Sequence, residues 1–444
     1  MTAVARAPGL IVAAPASGAG KTTVALGLMR AFARRGHVVQ PYKCGPDYID
    51  PAFHTAAAGR VSHNLDTWAM RRSVLADIVC HHGDTAHVVV AEGVMGLFDG
   101  VADAGQTARA STADLAALTG WPVVLVLDVS AQAETAAALA LGCARYRPDV
   151  PIAGVILNRV AGAAHAHMIT PALDAIGLPC FGALPRRDDL TLPERHLGLV
   201  QAVETSGLDE HLDRIADVVA EAIDLHRILA AARPHRLPTS ASPTPGLPPP
   251  GQRIALASDT AFAFSYPHLL AGWRRAGAEV IPFSPLADEA PLASADAVWL
   301  PGGYPELHAG RIANASRFHT GLRALASANV LIHGECGGYM VLGEGLQDAS
   351  GARHAMAGLL GVETSFAKPR MSLGYRRART LAPSALGPSG TEVMGHEFHF
   401  ASTTAVTDEP LVAAHDASGN NVPERGARRG SVTGTFLHVI DGVG

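Results

Sequence analysis

Short runs of apolar, often β-branched residues recur along the first half of the chain, each followed by a segment of a different rhythm. They read LIVAAPA from Leu10, HVVQPYKC from His37, HVVVAEG from His87, PVVLVLDV from Pro122 and IAGVILNRV from Ile152. Apolar side chains on successive residues, rather than on alternate ones, mark strands covered on both faces. Between them lie stretches such as TTVALGLMRAFARRG, whose apolar residues fall three and four apart, the period of an amphipathic helix. The pattern predicts an α/β fold: a parallel sheet with covering helices and active residues at the carboxyl ends of its strands. It resumes with RIALASD from Arg253, then AEVIPFS, AVWLPGG and VLIHGEC.

The two halves are separated by one helical segment, LDEHLDRIADVVAEAIDLHRILAAA, and by RPHRLPTSASPTPGLPPPGQ, which spans Arg233–Gln252. Seven prolines among Ser, Thr and Gly predict a semi-extended linker with no packed element. The expected organisation is a folded part at 1–232, a linker at 233–252 and a second α/β part at 253–444.

Composition narrows the function classes. A chain of 444 residues exceeds one compact core. The net charge of −5 gives no global field for nucleic acid or anionic lipid, so an anionic substrate needs local positive charge. The five cysteines (Cys44, Cys80, Cys143, Cys180, Cys336) are odd in number and scattered, without a C-x-x-C pair. That argues against a disulfide framework or zinc site and for a reducing compartment. With no secretory leader and no apolar run of about 18 residues, the expectation is a cytoplasmic protein with neither membrane nor nucleic acid as partner.

The first strand runs into Pro15-Ala16-Ser17-Gly18-Ala19-Gly20-Lys21-Thr22-Thr23 and then a helix. Gly18, Ala19, Gly20, Lys21, Thr22 and Thr23 form a phosphate-binding loop in the strand–loop–helix setting it requires. Glycines let backbone N–H groups close on phosphate, Lys21 reaches the outer phosphates, and Thr22 offers a hydroxyl to Mg²⁺. Pro15 stands where the first glycine of that pattern is expected. Two acidic strand ends follow: Lys43-Cys44-Gly45-Pro46-Asp47-Tyr48-Ile49-Asp50 and Glu92-Gly93-Val94-Met95-Gly96-Leu97-Phe98-Asp99. Carboxylates beside a phosphate loop suit Mg²⁺, a hard cation that takes oxygen ligands. The alternative for Asp47, Asp50, Glu92 and Asp99 is capping or turn formation, and Asp128 and Asn158 divide evenly between nucleotide contact and turn.

In the second half, Val330-Leu331-Ile332-His333 leads into Gly334-Glu335-Cys336-Gly337-Gly338. A nucleophile between small residues at a strand-to-helix bend is an elbow: glycines permit the strained turn, and the following N–H faces an oxyanion. A helix N-terminus behind Cys336 also favours thiolate. His438 in VTGTFLHVI is the expected base, with His333, His396 and His399 as rivals; the last two read more readily as residues of a strand with alternating faces, or as lining the substrate entrance. The Pro301-Gly302-Gly303-Tyr304 turn offers N–H groups that, with Gly337, complete an oxyanion hole.

The motifs APASGAGKTT, KCGPDYIDP, EGVMGLFDG, LPGGYPELHA, GECGGYM, SLGYR and GHEFHF resemble those of the cobyrinate or hydrogenobyrinate a,c-diamide synthases of vitamin B12 biosynthesis, in order over most of the chain. The resemblance implies a dethiobiotin-synthetase-like phosphate-loop domain followed by a class I glutamine amidotransferase domain. It implies Mg²⁺ at Thr22, Asp47 and Glu92, and a substrate or acyl-phosphate site at Lys43, Asp47, Asp50, Glu92 and Asp99. A Cys336–His438 dyad would release ammonia from L-glutamine. ATP would activate two corrin carboxylates, and hydrogenobyrinate is expected over cobyrinate as acceptor; a homodimer is the assembly entertained. Many class I glutaminases carry Glu two residues after the histidine, where this chain has Ile440, so the orienting acid is undefined. Rival readings are cobyric acid synthase, disfavoured by KCGPDYIDP, diamidation of another tetrapyrrole such as nickel sirohydrochlorin, and a partitioning-type ATPase, which has no use for a glutaminase domain.

Overall fold

The computed structural model describes residues 6–192, 194, 195, 198, 199, 201–238 and 246–443. Two compact units emerge, Met1–Trp68 with Arg72–Ser242, and Pro243–Gly444 with Ala69–Arg71. Among the described residues no helix is long and apolar enough to cross a membrane.

In the first unit, strands β1 (Pro8–Ala13), β2 (Val39–Cys44), β3 (His63–Leu65), β4 (Val88–Glu92), β5 (Val123–Asp128), β6 (Ile152–Val160) and β7 (Cys180–Pro185) run parallel in the order β3-β2-β4-β1-β5-β6-β7. The five apolar runs read from the sequence are all strands. The two that escaped are edges: β3 is three residues long and carries polar His63 and Asn64, and β7 is interrupted by Gly182. Sheet order has a chemical consequence. Because β4 lies between β1 and β2, Glu92 is in register with Val12 on one side and Lys43 on the other. Three segments far apart in sequence thus end side by side.

Two expectations are corrected here. The long helical segment is two helices, Leu208–Ala222 and Leu225–Ala231. Ile223 is extended and bridges Gly182, where a Cβ would lie 2.2 Å from the Ala222 carbonyl oxygen, and Asp224 caps the second helix through the Arg227 N–H (3.0 Å). The proline-rich stretch is not wholly unpacked either. Arg233–Pro234 pairs antiparallel with Pro8 and Gly9, Leu237 is fully buried, and the Leu247 carbonyl accepts from the Trp273 indole at 3.0 Å. Residues 239–245 lie outside the described residues.

The second unit contains a sheet ordered Glu279–Phe283, Arg253–Ala257, Ala297–Leu300, Leu331–Glu335, Val432–Thr435, Ala427–Arg429, parallel but for the last pair. A four-stranded antiparallel sheet adds Val412–His415, Ser372–Thr380, Glu392–His399 and Leu437–Gly442. The chain leaves the first sheet at Thr435 and enters the second at Leu437. Phe262, Phe318, Tyr339 and Phe436 pack in the core of this unit. Each such side chain stabilises it by roughly 1.5–3 kcal/mol. The segment 69–71 is held within the unit by Arg71, whose backbone N–H and guanidinium each reach Asp441 at 2.8 Å.

Candidate functional sites

The phosphate-loop backbone turns through the left-handed region at Gly18 (φ 76°) and at Gly20 (φ 90°), which caps helix α1 (Lys21–Arg34). Residue 15 needs no such conformation, so proline, fixed near −65°, is admitted there. Asn158 braces the loop: its amide donates to the Ala19 carbonyl at 2.9 Å, and a Cβ on Gly20 would come within 2.2 Å of that nitrogen. A cavity of about 290 Å³ opens beside it, lined in part by Gly20, Thr23, Asn158, Arg159 and Pro185. Asp128 pairs with Arg159 and accepts from the Ser130 N–H.

Around the end of β4 the side chains form one buried network. The Thr22 hydroxyl donates to Glu92 Oε1 at 2.6 Å, and Lys43 Nζ donates to the same oxygen at 3.0 Å and to Asp50 Oδ2 at 2.5 Å. Glu92 Oε2 lies 2.5 Å from His54 Nε2. Burial opposes the charges of Glu92 and Lys43, but the opposite charges beside each outweigh it, so Glu92 is held well below the carboxylate range and Lys43 well above its own. Asp50 goes the other way, pushed up to about 7 by burial and by Asp47, with Lys43 working against the rise. Lys21, largely buried, has its ammonium destabilised by desolvation, with Glu92 opposing. Asp47 is turned to the first turn of helix α2 (Asp50–Ala58), accepting from the N–H groups of Ile49 (2.7 Å) and Asp50 (3.2 Å). Asp99 is exposed and accepts from Gly96 N–H at 2.9 Å, and the same loop lies against the start of the phosphate loop, where Leu97 N–H reaches the Ala14 carbonyl at 2.7 Å.

In the second unit Cys336 sits at φ 45°, ψ −103°, the strained corner expected of an elbow. Its N–H donates to the Thr435 carbonyl at 2.8 Å, so the residue three positions beyond Thr435, His438, is delivered to the same place. A Cβ on Gly302 would lie 2.3 Å from His438 Cε1 and 3.2 Å from Cys336 Cβ, which locates nucleophile, base and glycine turn at one point. A Cβ on Gly337 would lie 3.0 Å from the Gly303 nitrogen, so those two N–H groups are close as well. Gly334 and Gly338 are required by packing: a Cβ would meet Gly338 backbone at 2.6 Å and the Leu300 carbonyl oxygen at 2.0 Å.

The expectation of a thiolate is corrected. Burial, with Glu306 adding to it, pushes the Cys336 thiol up, and the helix behind it is only six residues long, Gly337–Leu342. Burial also lowers His438 to about 3, so both shifts favour the uncharged pair, thiol and neutral imidazole.

Residues 10–200 match the profile of the CobQ/CobB/MinD/ParA nucleotide binding domain, and residues 253–442 that of the CobB/CobQ-like glutamine amidotransferase domain. The hydrogenobyrinate a,c-diamide synthase of Rhodobacter capsulatus is 57% identical over 438 residues, covering 98% of this chain and 99% of its own. That of Mesorhizobium japonicum is 54% identical over 433 residues, 97% and 98% of the two chains. The chain belongs to the hydrogenobyrinate a,c-diamide synthase family.

Within this member of the family, the structure gathers Thr22, Lys43, Asp50 and Glu92 into direct contact, and leaves Asp47 and Asp99 at loop positions with backbone partners. Of the rival histidines, His333 is a core residue bonded to Thr433 Oγ1 at 2.9 Å. His396 pairs across the strand from His438, and burial lowers it to about 3. His399 stacks on Phe436 (centroids 3.8 Å apart) and shares Glu397 with Arg376. Three participants were missed. His54 had a signal: Asp50 and His54 are four apart, which puts both on one face of a helix. Glu397 lay in GHEFHF but was passed over for its histidines. Glu335, beside the nucleophile, is 3% exposed, and only the fold reveals that it faces inward.

Proposed function

We propose that this chain catalyses the ATP- and glutamine-dependent amidation of the a- and c-acetate carboxylates of hydrogenobyrinate, giving the a,c-diamide. The observation that carries the reading is near-complete alignment with relatives named for that product, at 57% and 54% identity, with both motif sets on one chain. The same names favour hydrogenobyrinate over cobyrinate.

Cys336 is the nucleophile and His438 the base. The thiol proton passes to the imidazole as sulfur attacks the side-chain amide carbon of glutamine. The imidazolium then returns the proton to the departing ammonia, leaving a γ-glutamyl thioester that water hydrolyses to glutamate. The N–H groups of Gly303 and Gly337 face the developing oxyanion, and Gly302 completes the turn. A buried neutral imidazole beside a buried thiol suits this route, because neither group holds a charge before substrate arrives.

In the first unit, the loop from Gly18 to Thr23 cradles the triphosphate, with Lys21 at its outer end. The cavity lined by Asn158, Arg159 and Pro185 takes the nucleoside. The donor set fits Mg²⁺: the Thr22 hydroxyl donates its hydrogen bond to Glu92, which leaves its oxygen lone pairs for a hard cation, and Asp47 adds a carboxylate from the neighbouring strand end. When bound, Mg²⁺ supplies charge neutralisation on the phosphoryl oxygens. Lys43 would face the carboxylate acceptor during phosphorylation, with Asp50 and Asp99 positioning the corrin or orienting ammonia, and ammonia then displaces phosphate from the acyl phosphate. Two ATP and two glutamine are consumed for two amides.

The test is mass spectrometry of products after incubation with ATP, Mg²⁺ and glutamine, once with hydrogenobyrinate and once with cobyrinate. Two amides gained on hydrogenobyrinate are expected. Reaction on cobyrinate alone, or on neither, would overturn the assignment.

A further inference from the structure

The position two residues after His438, where a side-chain carboxylate would orient the imidazole, is occupied by Ile440, and the backbone there is irregular. Opposite Glu392–His399, Met394 pairs with Asp441 and Gly395 with Val439, so Ile440 is an extra residue with no counterpart across the strand pair. A bulge of this kind bends the strand and re-aims neighbouring side chains. It also leaves backbone groups that the ladder no longer serves. Two buried side chains take them up. Glu335 Oε1 accepts the Val439 N–H at 2.9 Å, and His268 Nε2 lies 2.8 Å from the Ile440 carbonyl, donating to it. Glu335 also accepts from the Trp299 indole.

The chain positions matter more than the count of bonds. Glu335 directly precedes Cys336, and Val439 directly follows His438. One hydrogen bond therefore ties the side chain of the residue before the nucleophile to the backbone of the residue after the base, across 104 residues of sequence. We infer that Glu335 is a positioning residue for the dyad: it fixes the bulge at Ile440, and so the aim of His438 at Cys336. The inference rests on the reading of Cys336 and His438 as the glutaminase pair. Burial pushes the Glu335 carboxyl up to about 8, which suits a neutral acceptor. The role needs an oxygen at the right distance rather than a charge.

That distinction makes a test. In Glu335→Gln the carbonyl oxygen stays at the same reach and no carboxylate can form; in Glu335→Asp the carboxyl group stays and its oxygens retreat by one methylene. Each full-length variant is assayed for glutamate release and, as an internal control, for amidation driven by ammonium chloride. Glu335→Gln is expected within about fivefold of the parent. Glu335→Asp is expected to lose about a hundredfold in glutamine-dependent kcat, with KM for glutamine little changed, because an ångström of misalignment costs that much. Ammonia-driven amidation stays within twofold in both. The reverse ranking, or unaltered glutaminase in Glu335→Asp, overturns the proposal. Cys336→Ala separates the two levels: if it still releases glutamate, the underlying assignment fails, whatever the Glu335 variants do.

Discussion

Replacing Gly302 with alanine adds one methyl group at the point where nucleophile and base meet. Gly302 is buried and its φ is not positive, so the backbone accepts alanine without strain. The side chain is another matter. Its Cβ would lie 2.3 Å from His438 Cε1 and 3.2 Å from Cys336 Cβ. Ordinary carbon contacts are about 3.5–4.0 Å, so the imidazole has to retreat by a little over about 1 Å. A displacement of that size at reacting groups costs on the order of a hundredfold in rate, or about 2.7 kcal/mol of barrier. Overpacking also costs the fold about 1–3 kcal/mol. The assay is glutamate release from glutamine, with ammonia-driven amidation and thermal unfolding of the same preparation as controls. Glutamate release should fall about a hundredfold while ammonia-driven amidation persists. If Gly302→Ala releases glutamate within threefold of the parent rate, the dyad is not assembled at this glycine, and the geometric argument for it is wrong.

Other perturbations test the remaining parts. Gly20→Ala, at φ 90° and with its Cβ 2.2 Å from Asn158 Nδ2, should weaken binding of an ATP analogue at least about tenfold by calorimetry; unchanged affinity would mean the loop does not hold phosphate in this shape. Lys43→Met leaves Glu92 and Asp50 buried without their shared cation, and should lower the stability of the first unit by about 3–5 kcal/mol in chemical denaturation; a loss under about 1 kcal/mol would show the network to be hydrated. His333, buried and lowered to about 3, is neutral in the fold but titrates near 6.5 when unfolded. Its contribution is therefore full above pH 6.5 and is lost as pH falls toward about 3, by about 1.4 kcal/mol per pH unit. His333→Gln should flatten the acid limb of the stability curve by that slope, and an unaltered limb refutes the assignment.

Much of this protein is legible without its fold. The phosphate loop and the cysteine elbow are local devices: the chemistry needs particular residues at adjacent positions on a strand–turn–helix, so spacing along the chain is enough to find them. The central strands are legible for a related reason, since burial on both faces selects unbroken apolar runs such as VVLVLD. Edge strands β3 and β7 are not, because an edge tolerates polar residues, glycine and short length. Nor could the helix break at Ile223 be seen, because its cause is a close approach to Gly182 some 40 residues earlier.

What only the tertiary structure decided is which distant residues share a site. Strand order, not sequence order, sets Glu92 between Lys43 and Thr22. The step from one sheet to the other at Phe436 brings His438 to Cys336. Whether Asp50 and His54 face Glu92, or Glu335 turns inward to the bulge at Ile440, depends on packing between elements tens of residues apart, and burial together with neighbouring charges then favours thiol and neutral imidazole. Sequence names the reactive groups because their local geometry is written in neighbouring residues; the fold assigns their partners because those are neighbours only in space.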